Sequence, residues 1–237
     1  LLLGWFCLNY FQLVKNVFLP PIPDVVQSLI VLFRDEGYSS DLFISTYRVM
    51  GAFLLSAALA IPIGLYTGFS ERMAKITEPF VGFARYLPVP AFVPLCILWF
   101  GLDDMGKIAI IFLGTFFQLI LMIVDVAREV PKTYFEAALT LGIKKTGLFF
   151  RVLLPASMPG IINSCRIAVG WAWTYLVVAE IAGATSGLGY RIMEAQRFIQ
   201  TPKIFAGIIV IGILGVATDF LFKALYRYLF PWNESNK

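Results

Sequence analysis

The chain has 237 residues, of which 59% are hydrophobic and 14% charged, with a mean hydropathy of +0.80 and a formal net charge of +4. A soluble domain of this size could not bury so much apolar surface, whereas a bilayer could, so the composition excludes an ordinary soluble protein. There is no histidine, which removes imidazole ligands and imidazole bases from its chemistry, and Cys7, Cys96 and Cys165 each fall in an apolar run, as small hydrophobes rather than a disulfide framework.

A bilayer-spanning helix needs about 20 mostly apolar residues. Six segments qualify, at roughly 1–19, 46–68, 79–100, 107–127, 161–183 and 205–228. They predict a single all-α transmembrane domain, 1–237, with no linker marking a second one. The chain opens at Leu1 without a methionine, so a truncated N-terminus is expected, and the first run lacks the basic flank and cleavage site of a secretory signal. Pro20, Pro21 and Pro23 stop that run. Asp24 then precedes Val25, Val26, Leu29, Ile30 and Phe33 at helical spacing, which predicts a short amphipathic helix lying along the membrane surface.

In the third span, Arg85 lies seven residues past Glu78, about 10 Å into the helix at 1.5 Å per residue. Pro88, Pro90 and Pro94 break its backbone ladder, which lipid does not tolerate unless the freed carbonyls face protein or water. This is a candidate pore-lining element, with a plain kinked packing helix as the alternative. The turn Gly101-Leu-Asp-Asp-Met-Gly106-Lys107 has the glycine and lysine spacing of a phosphate-binding loop. Ile108 stands where a magnesium-binding hydroxyl would be, and Asp103 and Asp104 would repel phosphate, so it is a tight turn and not a nucleotide site.

The segment 128–159 is a basic, structured interruption between apolar runs. Thr133 and Glu136 have capping-box spacing for a helix that continues through Ala137, Ala138 and Leu141 to a left-handed cap at Gly142. Leu148, Phe149, Val152 and Leu153 predict a second short helix closed by Pro155. The fifth span carries Arg166, Trp171, Trp173, Tyr175 and Glu180, followed by a turn at Gly187 and Gly189. Ionisable residues within spans are costly and therefore informative. Arg85 and Arg166 are candidates for an anion path, the alternative being that they snorkel or pair with carboxylates. Trp173 and Glu180 are further path candidates.

Placing the 128–159 loop in the cytoplasm puts Arg72, Lys75, Arg128, Lys132, Lys144, Lys145, Arg151, Lys223 and Arg227 on the inside, as the positive-inside rule favours. Both termini are then expected to be cytoplasmic.

The spacing Glu136-Ala137-Ala138, three residues, Gly142, nine residues, Val152, one residue, Leu154-Pro155 resembles the EAA loop of ABC importer permeases, with Val152 in place of isoleucine. Pro88-x-Pro90 with Pro94, Ile97-Leu98-Trp99-Phe100-Gly101, and Ala179-Glu180 with Ser186-Gly187-Leu188-Gly189-Tyr190 are similar to the nitrate, bicarbonate, taurine and alkanesulfonate branch. This likeness extends from Pro20 onward. It implies the type I importer permease fold in a bacterial inner membrane, with Glu136, Ala137, Ala138, Gly142, Val152, Leu154 and Pro155 forming the coupling loop. The implied partners are two ATPase subunits, a second permease copy or paralogue and an external substrate-binding protein, with no nucleic acid. ATP and magnesium would be used by the partner ATPase, with no cofactor or metal on this chain. The competing reading is an ion- or proton-coupled secondary transporter, which would want paired midplane carboxylates and inverted repeats; Glu180 is isolated and no repeat is evident.

Overall fold

A computed structural model describes Trp5, residues 15–35 and 37–232. The described residues form helices and no strands. In chain order these are α1 (Ile22–Asp35), α2 (Tyr38–Phe69), α3 (Glu71–Ala84), α4 (Val89–Phe100), α5 (Asp104–Arg128), α6 (Lys132–Thr140), α7 (Leu154–Ile181), α8 (Leu188–Arg197) and α9 (Thr201–Leu229). Most of the first predicted span, 1–4 and 6–14, lies outside the described residues.

The core is built from α2, α5 and α7. Helices α2 and α5 run parallel and touch from Gly51 against Ile108 to Gly68 against Ala127, because Gly64 and Gly68 present no side chain to Ile123 and Ala127. A Cβ on Gly64 would fall 2.6 Å from the Ile123 Cβ, and one on Gly68 only 2.5 Å from the Ala127 Cβ. Helix α7 returns antiparallel, placing Tyr175 over Gly114 and Val126 against Gly160. Val49, Ile110, Ile111, Leu119, Ile123, Ala168, Ala172 and Leu176 close this seam with essentially no exposure. The outward faces stay apolar: α9 exposes Ile208, Ile213, Val216, Phe220 and Leu221 to the surroundings. In water such surface would be a liability, but in lipid it is solvated.

Four helical segments are long and apolar enough to span a bilayer alone: α2, α5, α9 and the continuous stretch Lys145–Ile181 that ends in α7. The predicted third span is corrected by the structure. It is not one kinked helix but two, α3 and α4, bent by 95°. The break runs through Arg85, Tyr86 and Leu87 to Pro88. Pro88 caps α4 and Pro90 sits in its first turn, where a missing N–H costs nothing, while Pro94 is carried inside α4 without ending it. Together the pair takes the chain from the α2 C-terminus back to the α5 N-terminus, so it makes a fifth crossing.

Helix α2 begins eight residues before the predicted edge, since Asp41 and Ser45 are helical and buried rather than loop residues. At 32 residues it is about 48 Å long, well beyond the ~30 Å hydrocarbon core, so its ends project. Helix α1 forms where the periodicity predicts it. Val25 and Leu32 are buried in a small cluster with Tyr38, Leu188, Ala206 and Val210, while Val26, Ile30 and Phe33 are exposed. It therefore leans on α9, with a second apolar face turned outward.

Candidate functional site

The 132–153 loop lies at the end of the bundle where α2 and α5 finish. Helix α6 starts at Lys132 with Pro131 as its cap, and no side chain caps it. The predicted capping box is therefore corrected. Proline with its fixed φ opens the first turn two residues early, which puts Thr133 inside the helix and leaves the Glu136 carboxylate exposed. The other end conforms to expectation. Gly142 has φ 84°, its N–H donates to the Leu139 carbonyl at 3.0 Å, and the Ile143 N–H donates to the Ala138 carbonyl at 3.0 Å. That pair of bonds is a Schellman cap, which needs a left-handed residue at this position.

The second arm also differs from expectation. A 3-10 turn at Lys145–Gly147 and a π-helical turn at Phe149–Leu153 run without interruption into α7. Pro155 does not close a helix; it occupies the first turn of α7, where proline is tolerated. The arm containing Val152 and Leu154 is thus a rigid extension of a membrane-spanning helix.

An aromatic cluster, which sequence reasoning missed, mounts this loop on α2. Phe149 packs edge-on against Phe69 at 5.8 Å and Tyr66 at 6.3 Å, and Phe135 of α6 meets Phe69 at 6.2 Å. Such contacts contribute beyond their buried area. Ala138, Leu148 and Leu153 are buried beneath, while Glu136, Ala137, Leu141 and Phe150 are left exposed. Arg128 pairs with Glu78 beside the loop.

The opposite end of the bundle holds a second constellation. Glu180, 1% exposed, accepts from Ser45 Oγ at 2.8 Å, from Arg48 at 2.7 Å and from the Gly189 N–H at 2.7 Å. Arg48, also buried, reaches Asp104 at 2.6 Å and donates to the Ser186 carbonyl at 2.8 Å. Asp41 accepts from the Gly187 N–H and from Arg191, each at 2.7 Å, and the Leu188 N–H donates to Ser45 Oγ at 2.9 Å. The first amides of α8 are therefore capped by side chains of α2 and α7 instead of its own, which satisfies the orphan donors of a helix N-terminus. Gly187 has φ 112°, and any Cβ there would strike the Glu180 carboxylate.

The predicted path residues are scattered by the fold. Glu180 is enclosed in this ionic cluster and presents no free face. Trp173, 3% exposed, donates to Thr218 Oγ1 at 3.3 Å within the core. Arg166 pairs with Asp219 at 3.4 Å, next to Lys223. Only Arg85, Pro88 and Pro90 come together, at the break between α3 and α4. Arg48 was the signal available for the cluster, since it is a charged residue two positions inside the predicted 46–68 span. The Gly101–Lys107 turn is a turn indeed: Gly101 has φ 79° and the buried Lys107 donates back to the Leu102 carbonyl. Among the described residues no cluster of metal-ligating side chains occurs.

Residues 60–234 match the model of the family described as binding-protein-dependent transport system inner membrane component. The chain is 38% identical over 231 residues to a probable ABC transporter permease protein of Brucella abortus, covering 98% of this chain and 91% of that one. It is 40% identical over 212 residues to a putative aliphatic sulfonates transport permease of Bacillus subtilis, covering 88% and 77%, and 32% identical over 238 residues to the taurine transport system permease of Escherichia coli, covering 98% and 86%. Among solved structures, an inward-facing form of the MetNI methionine ABC transporter superposes with a TM-score of 0.71 at 17% identity, covering 81% of this chain and 95% of that one. An amino acid ABC transporter solved with histidines gives 0.62 at 16% identity, covering 81% and 92%. At those identities the likeness establishes the fold, that of the type I importer permeases. The bundle, the 132–153 loop and these relatives lead to one assignment: the chain belongs to the binding-protein-dependent inner membrane component family, as a multi-pass permease subunit of an ABC importer.

Proposed function

We propose that this permease is driven by a separate ATPase seated on the 128–159 loop, and that it imports a small anion, with an organic sulfonate or taurine as the cargo class its relatives favour. The observation that carries the coupling is the unbroken run from Lys145 through the π turn into α7. A force applied at Glu136, Ala137 and Gly142 is passed by Ala138 and the Phe135–Phe69–Phe149 cluster to α2, and by Val152, Leu154 and Pro155 directly to α7. The exposed Leu141 and Phe150 supply apolar surface for the cleft of a partner.

In this reading two ATPase subunits bind and hydrolyse ATP with magnesium, and this chain binds no cofactor. Their closure shifts the permease between inward- and outward-open states, which requires the ATP-bound partner to favour one of them. A second permease copy or paralogue completes the path, and an external binding protein delivers cargo to the end carrying α8. The loop and both termini face the cytoplasm, in accord with the basic residues on that side. The secondary-transporter alternative gains nothing from Glu180, which is held in an ion-paired cluster at one end of the bundle and is not paired with a carboxylate at the midplane.

Coexpression with the neighbouring genes tests this. An ATPase is expected to copurify, with Glu136→Arg or Gly142→Pro abolishing both the complex and ATP-dependent uptake. Retention of both in either variant would overturn the coupling role.

A further inference from the structure

Three features meet at the break between α3 and α4. The first is a cavity of about 240 Å³, lined by Arg85, Gln118 and Tyr175 among aromatic side chains that include Phe83, Phe92 and Phe117. The second is its depth. Its α5 wall runs from Leu113 to Gln118, the tenth to fifteenth residues of the 25-residue helix, so it lies near the middle of the span. The third is the state of Arg85. Its guanidinium donates to the Tyr86 hydroxyl at 2.9 Å and lies over that ring at 4.8 Å, with no carboxylate partner among the described residues. Arg48, Arg128, Arg166 and Arg191 each have one. A cation held at midspan without a counter-charge is costly in lipid and belongs beside water or an anion.

Resting on the importer reading above, we propose that this cavity holds the cargo midway across the membrane, as an oxyanion bearing a small organic group. Arg85 takes the oxyanion, since its planar guanidinium fork matches paired oxygens. The Phe92 and Phe117 rings take the organic end. The volume corresponds to about eight waters and falls below the ~300 Å³ at which pockets for drug-sized molecules begin, so the occupant has few heavy atoms. A bare nitrate or bicarbonate would leave the aromatic wall unused and desolvated to no purpose, whereas an alkanesulfonate uses both ends. The inner wall is positioned by the Tyr175 ring, which occupies the space over Gly114 where a Cβ would lie 2.3 Å from it.

The test is thiol labelling of the purified complex without its binding protein. Cys96 and Cys165 are buried, so with Cys7 changed to serine a single Gln118→Cys, or Leu113→Cys in a second preparation, reports the cavity. An anionic sulfonatoethyl methanethiosulfonate is compared with a cationic trimethylammonium analogue, each relative to its rate with free cysteine. The anionic reagent is expected to react about tenfold faster, the lower end of what electrostatic focusing in a cleft delivers. Arg85→Gln should abolish that preference, and excess butanesulfonate should protect where nitrate does not. Equal rates for the two reagents, no reaction at either position, or equal protection by nitrate would overturn the inference. A complex that labels as expected but contains no ATPase would instead overturn the coupling reading, so the two failures are separable.

Discussion

Replacing Arg48 by methionine removes the only cation among the described residues that contacts Glu180, a carboxylate with 1% exposure left with the Ser45 hydroxyl and the Gly189 N–H. Breaking a buried ion pair from one side costs about 3–5 kcal/mol, because the surviving charge is neither solvated nor paired. Asp104 adds little to this, since its side chain is half exposed. For a chain of this size ~1 kcal/mol moves the unfolding midpoint by about 2–4 °C, so Arg48→Met should lower it by roughly 6–20 °C. Glu180→Gln should be milder: Arg48 keeps Asp104 and the Ser186 carbonyl, and the amide oxygen can still accept from Gly189. The double variant removes both charges and should be more stable than Arg48→Met alone by about 2 kcal/mol, a coupling within the range for contacting residues. Thermal unfolding of the detergent-solubilised complex, followed by size-exclusion fluorescence, reads all three. If the double variant melts at or below Arg48→Met, Glu180 is not held as a charged partner of Arg48 and the account of the cluster fails.

Four further outcomes are expected. Gly142→Val forces a β-branched residue to φ 84°, at about 1–2 kcal/mol, so the loop tip should refold and the partner ATPase should elute at lower salt; unchanged retention would refute it. Gly68→Val drives a Cβ to within 2.9 Å of the Val124 carbonyl, and its overpacking cost of ~1–3 kcal/mol should reduce folded yield in membranes, which wild-type yield would contradict. Ile199 is an exposed β-branched residue at φ 56° just after α8, so Ile199→Gly should raise the midpoint by about 2–4 °C, and a fall would show that the side chain is needed there. Lys145→Cys and Glu194→Cys should be labelled by impermeant maleimide from opposite sides of sealed vesicles; labelling from the same side would invalidate the topology.

Much of this was legible because it depends on local chemistry. Long apolar runs become spans whatever they pack against, and Gly142 is marked by the helix before it. What was misread is also instructive. Thr133 and Glu136 satisfy the capping-box spacing, but Pro131 competes for the same turn and wins through its fixed φ. Pro155 after a short apolar helix fits a terminator by sequence, although a proline in a helix's first turn is equally a starter, and only the π turn before it settles which. The predicted 46–68 span leaves Asp41 and Ser45 outside and holds Arg48 at its edge, and nothing local reveals that their partners lie more than 50 residues away.

By itself, then, the amino-acid order determined that this is a helical membrane protein with a structured basic loop at Glu136–Pro155, since hydropathy, glycine placement and fixed spacings act within a turn or two of the chain. Only the tertiary structure decided which charges are partners and which remain available. Burial ties Glu180 to Arg48, the approach of two helices brings Arg166 to the half-exposed Asp219, and the 95° break leaves Arg85 lining a cavity. The reason is that a charge in a low-dielectric span is governed by whatever lies within a few ångströms of it, and those neighbours come from helices that the linear sequence keeps far apart.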